Sequence, residues 1–109
     1  MGQQSGPTYD LREVKELLRG GARKITVAAQ TRAINEGFTL EQVYGVVLSL
    51  NEKQFYKTMP AEKFPETSLF QDVYHYDDGN AELYVKVQIL NEGGLKKAKV
   101  ITFKPWGAP

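Results

Sequence analysis

Over the first fifty residues the apolar positions recur every three or four. Leu11, Val14, Leu17 and Leu18 fall on one helical face behind Asp10, an N-cap with Glu13 three residues on, and Gly20-Gly21 ends the run. An Ala-rich stretch from about Ile25 to Glu36 predicts a second helix stopped by Gly37. Thr39 followed by Gln42 is a capping-box signal, and Val43, Val46, Val47 and Leu50 form an apolar stripe behind it. Beyond this point the period changes to two. Leu69 to Tyr76 and Ala81 to Leu90 alternate and are rich in Val, Tyr and Ile, with a hairpin signal at Asp78-Gly79-Asn80-Ala81. The pattern predicts an α+β fold in which a helical N-terminal half packs on one face of a mainly antiparallel C-terminal sheet. Residues 1–9 read as a flexible lead-in and 10–109 as a single domain.

The hairpin fixes a register. With Gly79 and Asn80 as the loop, Tyr76 opposes Leu83, Tyr74 opposes Val85, Asp72 opposes Val87 and Phe70 opposes Ile89. That mainly apolar face should meet the helices, with Asp72 on it as a structural hydrogen-bond partner. The other face carries Gln71, Val73 and His75 opposite Gln88, Lys86 and Tyr84, so parity alone groups Gln71 with Tyr84. A last strand, about Lys97 to Lys104, should point Ile101 and Phe103 inward and Val100, Thr102 and Lys104 outward. Those outward residues join the Tyr84 face only if the connection shifts phase, which predicts a three-residue loop or a bulge near Gly93 to Leu95. Lys57 opens a further extended piece, Tyr56 to Met59, whose pairing the pattern does not give.

Composition narrows the chemistry. The chain has 109 residues and 41% hydrophobic content, enough for one core. Its 14 Lys and Arg against 13 Asp and Glu leave a charge of +1, so affinity for nucleic acid has to come from local clustering. The absence of Cys excludes disulfides, thiol nucleophiles and Cys-type zinc sites, and fits a reducing cytoplasm; one His excludes a two-His mechanism. No run approaches the ~18 apolar residues of a membrane span, and the polar start lacks a signal-peptide core. No metal-ligand spacing or nucleotide fingerprint stands out. Lys96-Lys97-Ala98-Lys99 and the basic first helical region (Arg12, Lys15, Arg19, Arg23, Lys24) read as solvated surface or as flanks for a nucleic-acid backbone.

Within this frame Lys57, Gln71, Tyr84 and Lys104 suit binding and cleaving RNA, gathered on an exposed sheet face. Two Lys supply charge for phosphate and for a phosphorane-like transition state. Tyr84 can stack on a base or take a proton from a 2′-hydroxyl, and Gln71 can hydrogen-bond a phosphate oxygen or base edge. Together they suit metal-free cleavage by the substrate's own 2′-hydroxyl, leaving a 2′,3′-cyclic phosphate. Lys86 and His75 share the face as substrate-binding candidates, with His75 directly across from Tyr84 as a possible acid or base. Taken singly, each has an ordinary reading: a Lys guards a strand edge, a mid-strand Tyr packs, a Gln is polar alternation.

The tracts Gln54-Phe55-Tyr56-Lys57-Thr58-Met59, Gln71-Asp72-Val73-Tyr74, Leu83-Tyr84-Val85-Lys86 and Ile101-Thr102-Phe103-Lys104, in this order and spacing, resemble the MqsR family, the motility quorum-sensing regulator toxins of type II toxin-antitoxin systems. The resemblance runs from about Tyr9 to Lys104. It implies a RelE-like fold and an mRNA endoribonuclease acting on single-stranded RNA at short GC-containing triplets, independent of ribosome, metal and cofactor. It places the family's functional Lys, Gln, Tyr and Lys on Lys57, Gln71, Tyr84 and Lys104. It also implies a cytoplasmic setting and a cognate antitoxin, usually zinc-containing with a helix-turn-helix part, through which alone operator DNA is contacted. Two departures stand out: a longer segment around Asn91 to Lys99, which bears on the register of Lys104, and His75, which opens a His-assisted variant of the chemistry. The competing readings are a non-catalytic RNA- or protein-binding module using the open sheet and an inert variant kept for its antitoxin-like partner.

Overall fold

Each helix begins where a side chain can satisfy its free amides. The computed structural model describes residues 6–61 and 69–109; the first five residues of the lead-in lie outside them, as do 62–68. Helix α1 (Leu11–Arg19) is capped by Asp10, which accepts from the Arg12 amide at 2.9 Å, and it buries Leu11, Val14 and Leu18. Glu13 reaches Lys96 of the sheet at 2.9 Å. Helix α3 (Leu40–Ser49) has the capping box expected from Thr39 and Gln42, with both reciprocal bonds present.

Between α1 and the second helix lies an element the pattern does not give, a three-residue strand β1 (Arg23–Ile25). Helix α2 (Val27–Asn35) therefore starts later than the expected Ile25. The reason is local: the Thr26 hydroxyl accepts from the Ala29 amide at 3.0 Å as an N-cap, while the Thr26 amide donates to the Val100 carbonyl at 3.1 Å and extends the sheet ladder. Three residues are too few to show a period of two.

The other strands are β2 (Phe55–Pro60), β3 (Phe70–Asp77), β4 (Glu82–Glu92) and β5 (Leu95–Pro105), in the order β1-β5-β4-β3-β2. Only β1 and β5 run parallel. The β3–β4 register is the expected one, with Asp72 opposite Val87, Tyr74 opposite Val85, His75 opposite Tyr84 and Tyr76 opposite Leu83. The extended piece around Lys57 pairs antiparallel with β3, Lys57 opposite Val73, with a bulge at Tyr56.

The β4–β5 pairing corrects one expectation. Glu92 opposes Leu95, so Gly93-Gly94 is a plain two-residue turn, with both glycines in the left-handed region at φ 59 and 86. The phase shift lies instead in mid-strand: Val87 opposes Val100 but Lys86 opposes Thr102, leaving Ile101 as the extra residue. Phe103 points inward and Thr102 and Lys104 outward, as expected, while Val100 and Ile101 exchange roles: Val100 is 1% exposed in the core and Ile101 lies on the far face. The turn register forces Val100 inward, and burying Phe103 as well demands one surplus residue between them. The Ile101 carbonyl accepts from the Thr26 hydroxyl at 2.9 Å, which ties the bulge to the start of α2.

The helices cover the Tyr74, Val85, Val87, Val100 and Phe103 face, where α2 brings only Ala29 and Ala33 and so sits close to β5. Burying each large aliphatic side chain there contributes about 1.5–3 kcal/mol. Asp72 has the structural role read from the sequence. It is 1% exposed and accepts from the Thr8 amide at 3.0 Å and the Tyr9 amide at 2.9 Å, tying the segment before α1 to the sheet. Asp72→Ala should cost about 2–3 kcal/mol by leaving charge-assisted bonds unmade, measurable by urea unfolding, with faster hydrogen exchange at Thr8 and Tyr9.

The β3–β4 turn has its own acid sensitivity. Asp78 accepts from the Ala81 amide at 2.7 Å, the Asn80 amide at 2.8 Å and the Tyr76 hydroxyl at 3.0 Å. These bonds, the Ala81 amide's first, hold its carboxyl below the ordinary value of 3.8. A folded value below the unfolded one means the contribution is present above the unfolded value and is lost as pH falls through the folded one. Asp78→Ala should therefore lower the melting temperature at pH 6 and lose less further stability than wild type between pH 4 and 2, as read by thermal unfolding across that range.

Candidate active site

The face away from the helices carries three rows of side chains. The first runs Tyr56, His75, Tyr84 and Lys104; the second Lys57, Val73, Lys86 and Thr102; the third pairs Met59 with Gln71 and Gln88 with Lys99. Alternation puts these groups on one side of the sheet, and the two bulges at Tyr56 and Ile101 bring Lys57 and Lys104 into phase with it.

The first row is knit together by Trp106. Immediately after β5 the Trp106 amide donates to the Glu82 carbonyl at 2.9 Å, folding the chain back over the sheet. The indole stacks on His75 with centroids 3.8 Å apart and planes 8° from parallel; it meets Tyr56 edge-on at 5.1 Å and Tyr84 at 5.8 Å. Cations stand at both ends of this aromatic group. The Lys104 ammonium lies 4.9 Å from the Tyr84 ring centroid, and that of Lys57 lies 5.6 Å from the Tyr56 ring. His75 Nε2 and Glu82 Oε2 are 2.6 Å apart, a contact that fixes the imidazole's orientation.

All four residues singled out in the sequence share the face, but not on equal terms. Tyr84 and Lys104 are directly paired across β4 and β5. Gln71 sits on the neighbouring strand and is buried at 8% exposure. Lys57 is exposed on the outer strand, three strand spacings across and two residues along from Lys104, roughly 16 Å. Lys86 and His75 fall between them, Lys86 buried at 6% and His75 half-buried. The expectation of an open face therefore needs correcting. Gln71, Val73, Lys86 and Gln88 are all buried, and a cavity of about 490 Å³ opens over Gln71, Lys86, Gln88 and Lys99.

The basic segments divide by use. Lys96 pairs with Glu13, Lys97 and Lys24 with Glu92, Arg23 with Glu41 and Arg12 with Asp10, the ordinary role of surface charge. Lys99 alone of the Lys96-Lys97-Ala98-Lys99 run lines the cavity. Tyr74 is no candidate for proton transfer. It is 1% exposed on the helix face, where burial first and the Asp72 charge second push its hydroxyl far above the ordinary phenol range. Sequence reasoning passed over Trp106, Tyr56 and Glu82; it put Gln88 on this face and Lys99 in a basic run without giving either a part in the site. The signals available were the parity of Gln88 and Glu82 along β4 and the lone Trp two residues after Lys104. Among the described residues no three His, Asp or Glu side chains gather as a metal group, and no helix is long and apolar enough to cross a membrane.

Comparison with known proteins gives the family of the chain. The chain is 27% identical over 86 residues to the mRNA interferase toxin MqsR of Escherichia coli (strain K12), an alignment covering 79% of this chain and 86% of that protein. Over residues 6–105, which include every side chain of the three rows, it matches the family described as motility quorum-sensing regulator, toxin of MqsA, and it belongs to that family.

Proposed function

We propose that this protein is an endoribonuclease toxin that cuts single-stranded mRNA through the substrate's own 2′-hydroxyl, without metal or ribosome, at short GC-containing triplets. The observation that carries the reading is the Lys104 ammonium 4.9 Å from the Tyr84 ring, on a face that also holds Lys57, Gln71 and His75. Family membership and the name of the relative support it. Tyr84 in its phenolate form takes the 2′-hydroxyl proton and becomes the neutral phenol, and the freed oxygen attacks the adjacent phosphorus. The bond from phosphorus to the 5′-oxygen breaks, and that oxygen receives a proton from His75, held by Glu82. The products are a 2′,3′-cyclic phosphate and a 5′-hydroxyl. Lys104 stabilises the charge that builds on the phosphorane oxygens, Gln71 donates to one of them, and Lys57 holds a neighbouring phosphate.

The protein partner is a cognate antitoxin, supported by the family's description as the toxin of MqsA; its zinc and helix-turn-helix parts, and contact with operator DNA through it alone, belong to the same reading. The site of action is the cytoplasm, where mRNA is found. Incubation of purified protein with single-stranded RNA in EDTA tests the proposal. Cleavage to cyclic-phosphate ends is expected; binding without cleavage would establish a non-catalytic module instead.

A further inference from the structure

The cavity over the third row is not used by the proton transfers. Tyr84, Lys57, Lys104 and His75 do not line it. Its floor holds Gln71, Lys86 and Gln88, at 8%, 6% and 3% exposure, with Lys99 beside Gln88 across the strand pair. The Gln88 amide nitrogen donates to the Phe70 carbonyl at 3.3 Å, which sets the plane of that amide. Leu90 and Ile101 supply apolar walls. The bulge matters here too, since it is what turns Ile101 out of the core and into the cavity.

These properties suit a flat heterocycle better than a bare anion. A volume of about 490 Å³ lies in the ~300–1,000 Å³ range of small-molecule sites and is far larger than a phosphate needs. The Gln88 amide, held by the Phe70 carbonyl, presents donor and acceptor side by side, the pattern that reads a base edge, and apolar walls take a ring face. Position agrees: Lys86 is two residues and Gln88 four residues from Tyr84 on the same face, roughly 6.7 and 13 Å at strand rise, within reach of the base of a nucleotide flanking the phosphate at Tyr84. We infer that this cavity is a base-reading subsite, in which Gln88 and Lys99 select the nucleobase next to the cleaved bond, while Gln71 at its edge stays with the phosphate.

This inference rests on the endoribonuclease reading, and its test separates the two. The full chain, labelled with ¹⁵N, is titrated with adenosine, cytidine, guanosine and uridine 3′-monophosphates, and cleavage of a randomised single-stranded RNA is followed in parallel. One nucleotide should bind at least tenfold tighter than the weakest and shift the Gln71 and Gln88 side-chain amides. Gln88→Leu and Lys99→Ala should each shrink that selectivity, and the matching base preference in cleavage, about tenfold. Lys99→Ala removes a half-buried side chain and stays informative if Gln88→Leu does not fold. Equal binding of the four nucleotides, shifts confined to other residues, or unchanged selectivity in Lys99→Ala would overturn the subsite, even if RNA is cut. Selective binding at the cavity with no cleavage would sustain the base site and overturn the nuclease reading alone.

Discussion

Tyr84→Phe is expected to slow RNA cleavage by about 10²–10⁴-fold, the range for losing a positioned proton-transfer group, with no change in melting temperature beyond a degree or two. The substitution removes one oxygen and keeps the ring that packs 5.8 Å from Trp106, so packing and chemistry separate cleanly. Lys104→Ala should cost about 10²–10³-fold, as for loss of one preorganised group facing developing charge. Because the ammonium lies 4.9 Å from the Tyr84 ring, the two losses should not multiply. A double variant slower by much less than the product, in single-turnover assays, is the expected result. Full multiplicativity would mean that the pair acts on different steps.

Phe103→Ala is expected to remove about 3–5 kcal/mol of stability, as for other buried aromatic truncations. Phe103 has no exposure and meets Phe38 edge-on at 5.1 Å. It is also the inward residue that fixes the phase of the β5 end bearing Thr102 and Lys104. Against a total of about 5–15 kcal/mol for a domain, much of the chain would be unfolded at 37 °C. Urea unfolding at 10 °C and 25 °C reads the loss directly. A change under 1 kcal/mol would contradict the packing described for this face.

What the sequence made legible, and what it did not, follows from the range of the interactions involved. Helix caps and the Asp78-Gly79-Asn80-Ala81 turn depend on residues three or four apart, so their signals are local; the turn then propagated a correct register from Asp72 to Tyr76. Gln71, His75 and Tyr84 could therefore be grouped without coordinates. Lys104 could be grouped only conditionally. Both Val100 and Ile101 are apolar and either could have pointed inward; the choice was made by the two-residue Gly93-Gly94 turn at the far end of the hairpin. A spacing of three between Val100 and Phe103 was the available hint of a bulge.

Lys57 was beyond reach because the sequence between its strand and β3 carries no two-residue turn signal from which a phase could be counted. Trp106 was missed for another reason. Its role arises from the chain folding back after β5, and only in three dimensions does it bridge Tyr56, His75 and Tyr84. The burial of Gln71 and Lys86 was equally hidden, since alternation tells which face a residue occupies and not what covers that face. The cavity that they line was accordingly absent from the reading by pattern.

The most direct measurement is a single-turnover cleavage assay in EDTA on two oligonucleotides that differ only in one 2′-hydroxyl at the preferred site. The all-ribose strand should be cut there to a 2′,3′-cyclic phosphate and a 5′-hydroxyl, and the 2′-deoxy strand should remain intact at that bond. Equal cutting of both strands, or cutting only after metal is restored, would contradict the chemistry assigned to Tyr84, Lys104 and their neighbours.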